Sequence, residues 1–133
     1  MTAGAGRPPI CLALLACLLL AGCTAPPIQM EIADAGGRKI VTLFHRGLFG
    51  LRSSETPCVR EIVVSNFDAI RQAVPVWTAT SPDDVQCAAL ASFEIGRTPA
   101  GFAETLNRLP TALRGRYRVE VSGIGNGAYD IVF

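Results

Sequence analysis

From Ile28 onward, apolar residues recur at every second position rather than every third or fourth. A period of two places alternate side chains on opposite faces of an extended backbone, which commits the chain to strands. Residues 116–122 are the clearest run: Tyr117, Val119 and Val121 face one way, and Arg116, Arg118 and Glu120 the other. Over residues 28–34, Ile28, Met30 and Ile32 share a face. Ala35-Gly36-Gly37 then reads as a turn, and residues 39–44 return to complete a hairpin. Residues 59–65 and 74–80 are rich in β-branched side chains. Pro75 has no amide hydrogen to donate, so it belongs at a sheet edge or a strand start. Residues 87–95 read as one strand with Ala89, Ala91, Phe93 and Ile95 on one face. Asn126-Gly127 suits the two positive-φ positions of a tight turn, after which residues 128–133 carry Tyr129, Ile131 and Phe133 on one face. Residues 99–109 fit either a short helix lined by Phe102, Leu106 and Leu109 or an irregular strand. About seven short strands predict an all-β fold, a small antiparallel immunoglobulin-like sandwich. The order Cys58, Trp77, Cys87 has the wrong spacing for a true immunoglobulin domain, so this expectation concerns architecture alone.

The amino-terminal part follows a different rule. Residues 1–9 are small or polar with one cation, Arg7, and residues 10–22 are apolar or small without interruption. A spanning helix takes ~20 apolar residues, so this run has the length of a helical secretory signal peptide, which is removed. It closes on Leu20-Ala21-Gly22-Cys23. That sequence resembles the lipobox of bacterial lipoproteins. The resemblance implies cleavage before Cys23, a diacylglyceryl group on its thiol and an acyl chain on the new amino terminus. At ~0.8 kcal/mol per buried methylene, one chain binds marginally, but two or three hold firmly. Thr24 follows where Asp would favour inner-membrane retention, so the resemblance also implies the outer membrane, facing the periplasm. The chain then divides into a signal peptide (1–22), a lipidated Cys with a short tether stiffened by Pro26 and Pro27 (23–29), and a sandwich domain (30–133). The stretches Cys58-Val59-Arg60-Glu61-Ile62, Pro75-Val76-Trp77, Phe93-Glu94-Ile95-Gly96, Pro99-Ala100-Gly101-Phe102 and Tyr117-Arg118-Val119 resemble small uncharacterised proteobacterial lipoproteins. This second resemblance implies no particular activity.

Removing residues 1–22 leaves 133 − 22 = 111 residues, the size of one domain. Twelve Lys and Arg less Arg7 leaves eleven cations against eleven acids. Net charge near zero argues against nucleic acid and against a polybasic lipid-binding patch. Of five cysteines, Cys11 and Cys17 leave with the signal and Cys23 takes the lipid. Cys58 and Cys87 remain in an oxidising compartment, which predicts a disulfide. In the chain-entropy model its loop of about 30 residues contributes ~3.5 kcal/mol. The alternative is two unpaired buried thiols.

Catalytic and metal chemistry find little support. The single histidine, His45, has Ser53 and Ser54 nearby only in sequence, and no serine sits in a Gly-x-Ser-x-Gly elbow. A solvated loop histidine is the expectation. Zinc needs three or four ligands, more than one His and two paired Cys supply. Asp83-Asp84 reads as an exposed turn, since calcium takes six to eight oxygens. The glycines of residues 123–127 lead into a strand rather than a helix, which fits a turn and not a phosphate loop. Glu94 and Glu104 have nothing to mark them as an acid/base pair. The terminal Tyr129-x-Ile131-x-Phe133 resembles the last strand of outer-membrane barrels, but most runs here are shorter than the ~9–11 residues of a spanning strand. We therefore expect no catalytic residues, no metal and no cofactor beyond the covalent lipid.

One loop stands apart. Phe44, Leu48, Phe49 and Leu51 lie among His45, Arg46 and Arg52 in a glycine-punctuated segment. Apolar residues on a loop mark a contact with a partner or a membrane; alternatively, Phe44 and Leu48 finish a strand and the rest folds over the core. Leu48, Phe49, Leu51 and Arg52 are the candidate contact residues. The resulting expectation is a non-enzymatic, membrane-anchored envelope lipoprotein that binds another envelope protein or supports an assembly. A periplasmic inhibitor or ligand-capture module is the alternative, and a small hydrolase comes third.

Overall fold

A computed structural model describes residues 25–68 and 70–133. The signal segment, Cys23 and Thr24 lie outside the described residues. Among the described residues the strands are nine: β1 (Gln29–Ala35), β2 (Arg38–Phe44), β3 (Cys58–Phe67), β4 (Ala73–Thr80), β5 (Ala88–Ala89), β6 (Ser92–Glu94), β7 (Ala103–Asn107), β8 (Arg116–Gly123) and β9 (Gly125–Val132). They form two antiparallel sheets. One has the order β1-β2-β6, and the other β7-β4-β3-β8-β9 with β5 paired to β3. Among the described residues, no helix is long and apolar enough to cross a membrane.

The alternation seen in the sequence decides which faces meet. Val41 and Leu43 of β2, Phe93 of β6, Met30 of β1 and Ile28 just before it bury one side of the smaller sheet. Ile62 and Val64 of β3, Trp77 of β4, and Tyr117, Val119 and Val121 of β8 bury the facing side of the larger one. These residues form one continuous apolar cluster, and the Trp77 and Phe93 rings stack across it at 6.2 Å. Each large apolar side chain so buried stabilises the fold by roughly 1.5–3 kcal/mol. On the outer face, Arg118 donates two hydrogen bonds to its cross-strand partner Asp130, at 2.7 and 3.1 Å.

The predicted β1–β2 hairpin is present, with Gly36 and Gly37 both at positive φ between Ala35 and Arg38. Pro75 lies near the start of β4, beside a register shift in β3 and outside the stretch that β7 covers. Residues 103–107 settle the ambiguous segment as a strand. The count rises from about seven strands to nine because residues 87–95 do not form one strand. Ala88–Ala89 pairs with β3, and Ser92–Glu94 pairs with β2 in the other sheet. The chain changes sheets between them, so Phe93 and Ile95 are buried while Ala89 and Ala91 are exposed.

The last turn is also corrected. It falls at Ile124, between Gly123 and Gly125, and Asn126-Gly127 lies inside β9 opposite Ser122 and Val121. Only Gly125 of the group has positive φ. Gly125 and Gly127 are required by a different contact. A Cβ on either would overlap the carbonyl oxygen of Pro26 or of Ile28. The segment leading into β1 crosses β9 at this point, and the Ile28 amide donates to the Asn126 carbonyl at 2.9 Å. The start of the described chain is thereby fastened to one end of the larger sheet.

Cys58 and Cys87 form the expected disulfide, with Cα atoms 5.3 Å apart. It ties the start of β3 to the loop preceding β5, at the same end of the molecule as the Ile124 turn, whose amide donates to the Cys58 carbonyl at 3.0 Å. The Gly36-Gly37 turn and the end of β9 lie at the opposite end. There the Gly115 and Phe133 amides exchange hydrogen bonds with each other's carbonyls.

Candidate functional site: the loop at residues 44 to 52

β1 and β2 are antiparallel and Gln29 pairs with Phe44, so the chain enters β1 and leaves β2 at the same end. Beyond Phe44 the backbone makes a small closed loop. Arg46 and Arg52 pair as a β-bridge, the Gly47 amide donates to the Leu51 carbonyl at 2.7 Å, and the Ser53 amide donates to the His45 carbonyl at 2.7 Å. Leu48, Phe49 and Gly50 form a 3-10 turn at the tip. The Arg46 guanidinium donates to the Gly50 carbonyl at 2.8 Å and braces the tip from below.

This framework separates the apolar residues into two groups. Phe44 is buried, with the Arg52 and Arg46 guanidinium groups over its ring at 4.0 and 5.2 Å. Arg52 is further held by Glu31 at 2.9 Å. Leu48, Phe49 and Leu51 stand out in solvent at 86, 98 and 69% exposure. The rest of the loop therefore does not fold back over the core. Phe49 also has φ +62, a conformation that costs a non-glycine residue ~1–3 kcal/mol.

The expectation of a solvated His45 is overturned. The residue is buried at the base of the loop, and its Nδ1 lies 3.0 Å from the Pro27 carbonyl oxygen. The loop and the segment leading into β1 are thus fastened to each other. No local signal in the sequence announces this, because the partner lies 18 residues upstream.

The other polar candidates are dispersed. Asp83 and Asp84 occupy an exposed turn. Glu94 lies 3.9 Å from both Arg38 and Arg97. Glu104 accepts from the indole Nε1 of buried Trp77 at 2.9 Å and from Thr98 at 3.3 Å. The Trp77 hydrogen bond, with lesser help from Asn107 and Thr98, holds the Glu104 carboxyl below the usual glutamate range. Asp130 is lowered by its hydrogen bonds from Arg118, and Asp34 by those from Lys39 and the Gly37 amide. All three carboxylates complete structural contacts. Among the described residues, no group of three or more His, Cys, Asp or Glu is placed to hold a metal ion.

A groove that sequence reasoning missed opens at the opposite end of β2. It has a volume of about 540 Å³ and is bordered by Arg38, Lys39, Glu94, Asn107, Leu109 and Leu113. Its parts come from distant segments, so no contiguous motif could have pointed to it.

No family model matches the chain. A UPF0178 protein of Rhizobium etli is similar to it, 32% identical over 101 residues that cover 69% of this chain and 63% of that protein. The chain thus spans less than two thirds of that relative's length. No solved structure matches.

Proposed function

We propose that the chain is the precursor of a bacterial envelope lipoprotein, held by lipid on Cys23 at the outer membrane and facing the periplasm. The observation that carries this reading is Leu20-Ala21-Gly22-Cys23 at the end of the apolar run 10–22. The Cys58–Cys87 disulfide supports it, since such bonds persist in exported proteins. The folded domain, which we read as an immunoglobulin-like sandwich, acts as a non-catalytic module that binds another envelope protein or supports an assembly. The dispersal of the candidate acids and of His45 over separate structural contacts favours binding over catalysis.

Fractionation of a Gram-negative host expressing the full chain tests the anchor. The natural sequence should sediment with outer membranes and come off only with detergent, while Cys23→Ala should be retained as an unprocessed or soluble species. Equal distribution of the two would refute the reading. The groove at Arg38 and Lys39 favours a second reading, capture of a small periplasmic ligand.

A further inference from the structure

The exposed tip lies at the end of the domain where the membrane anchor would join it. Three residues separate Cys23 from Pro27, four Cα–Cα steps with a reach of at most about 14 Å. Pro27 is in turn fixed to the base of the loop through His45. From His45 to the loop tip at Phe49 is also four steps along the chain, so the tether is short enough to keep the lipid close to the loop, which rises from the same base. If lipid on Cys23 enters the bilayer, the loop tip has the length to arrive at its surface.

The chemistry of the loop matches that destination. Three apolar side chains crown the tip, and the aromatic among them is held outward at a strained backbone position that offers it no contact within the domain. The Arg46 and Arg52 guanidinium groups sit over the Phe44 ring at the base, where they bring positive charge to the level of the lipid headgroups. Ile124, 55% exposed, projects from the neighbouring β8–β9 turn, which abuts Pro26. A domain of near-zero net charge lacks the polybasic attraction that would bring it to lipid otherwise.

Resting on the lipid-anchor reading above, we propose that Leu48, Phe49 and Leu51 insert into the interfacial layer of the bilayer that holds Cys23. The loop is then a second, non-covalent membrane contact. Together the two contacts fix the orientation of the domain, with the Gly36-Gly37 turn and the groove at Arg38 and Lys39 pointing away from the membrane.

The test uses the chain as purified from host membranes in detergent and reconstituted with vesicles of phosphatidylethanolamine and phosphatidylglycerol, with no other protein present. With Cys23 acylated and Cys58 paired to Cys87, a cysteine introduced by Phe49→Cys offers a unique thiol for an environment-sensitive fluorophore. Ile70→Cys, at the exposed β3–β4 turn of the opposite end, is the control. The expected result is a blue shift and a several-fold rise in emission at position 49, quenched by nitroxide-labelled lipid, with neither change at position 70. A chain that floats with the vesicles while position 49 stays in water overturns the insertion and is the outcome expected of a loop that contacts protein instead. A chain that does not float overturns the anchor reading and the insertion with it. Leu48→Ser combined with Phe49→Ser serves as a second variant: it should float and melt like the natural chain yet lose the fixed orientation, read as weaker nitroxide quenching of a fluorophore at Ile124→Cys, and unchanged quenching there would overturn the insertion.

Discussion

Phe93 and Phe49 are the same side chain in opposite surroundings. Phe93 is 5% exposed, stacked against Trp77 where the two sheets meet. Phe49 is 98% exposed at the tip of a loop, on a backbone position that glycine would occupy more easily. The first is explained entirely by the fold, since removing it from water is what holds the sheets together. The second gains nothing from the fold. A side chain whose burial would stabilise by roughly 1.5–3 kcal/mol is left in solvent, with Leu48 and Leu51 beside it. The interior and the loop thus answer to different demands, one internal and one external.

That contrast can be broken at either end. The largest effect is expected from Trp77→Ala, which removes the bridge between the sheets and leaves Glu104 without its indole donor. Large-to-small changes of this kind cost ~3–5 kcal/mol, and denaturant titration should show it. A loss under ~0.5 kcal/mol, the range of ordinary surface changes, would mean the interior is not the source of stability we describe. Replacing Cys58 and Cys87 together by Ala comes next. It should cost ~3.5 kcal/mol, with Tm falling by on the order of 10–20 °C for a domain of this size.

A smaller effect should appear with pH. Glu104, Asp34 and Asp130 are all held below the ordinary carboxylate range in the folded state. The unfolded chain therefore takes up protons first as pH falls. Their contribution is complete above the unfolded range of about pH 4 and is lost on acidification through the lower folded values. Tm should be level near neutrality and decline below about pH 4, and Glu104→Gln should make that decline shallower. The smallest effect is expected at the loop. Leu48→Ser with Phe49→Ser should leave stability within ~0.5 kcal/mol of the natural chain. A large drop would sharpen the comparison in the other direction, by showing that the tip does belong to the fold.

The strands that alternate most cleanly were legible because their environment is uniform along their length. Residues 28–34, 39–43 and 116–122 each lie in one sheet with one buried face. Residues 87–95 were misread because no glycine or proline marks the point at Leu90-Ala91 where the chain leaves one sheet for the other. Asn126-Gly127 carried a strong local turn signal, yet Gly127 is needed for the passage of the Ile28 backbone, a contact about a hundred residues away in sequence. The same holds for His45, whose partner is the Pro27 carbonyl. The apolar loop could be named from its composition, but its outward orientation and its attachment beside Pro27 required the fold.

The central claim is that this domain is fastened to a membrane through Cys23. The most direct test is the mass of the chain purified from host membranes in detergent. The account predicts a protein of 111 residues (133 − 22) that begins at Cys23, heavier than its amino-acid sequence by a diacylglyceryl group and one further acyl chain, with the Cys58–Cys87 bond intact. The unmodified mass of the full 133-residue chain, or of a product cut elsewhere, would contradict it.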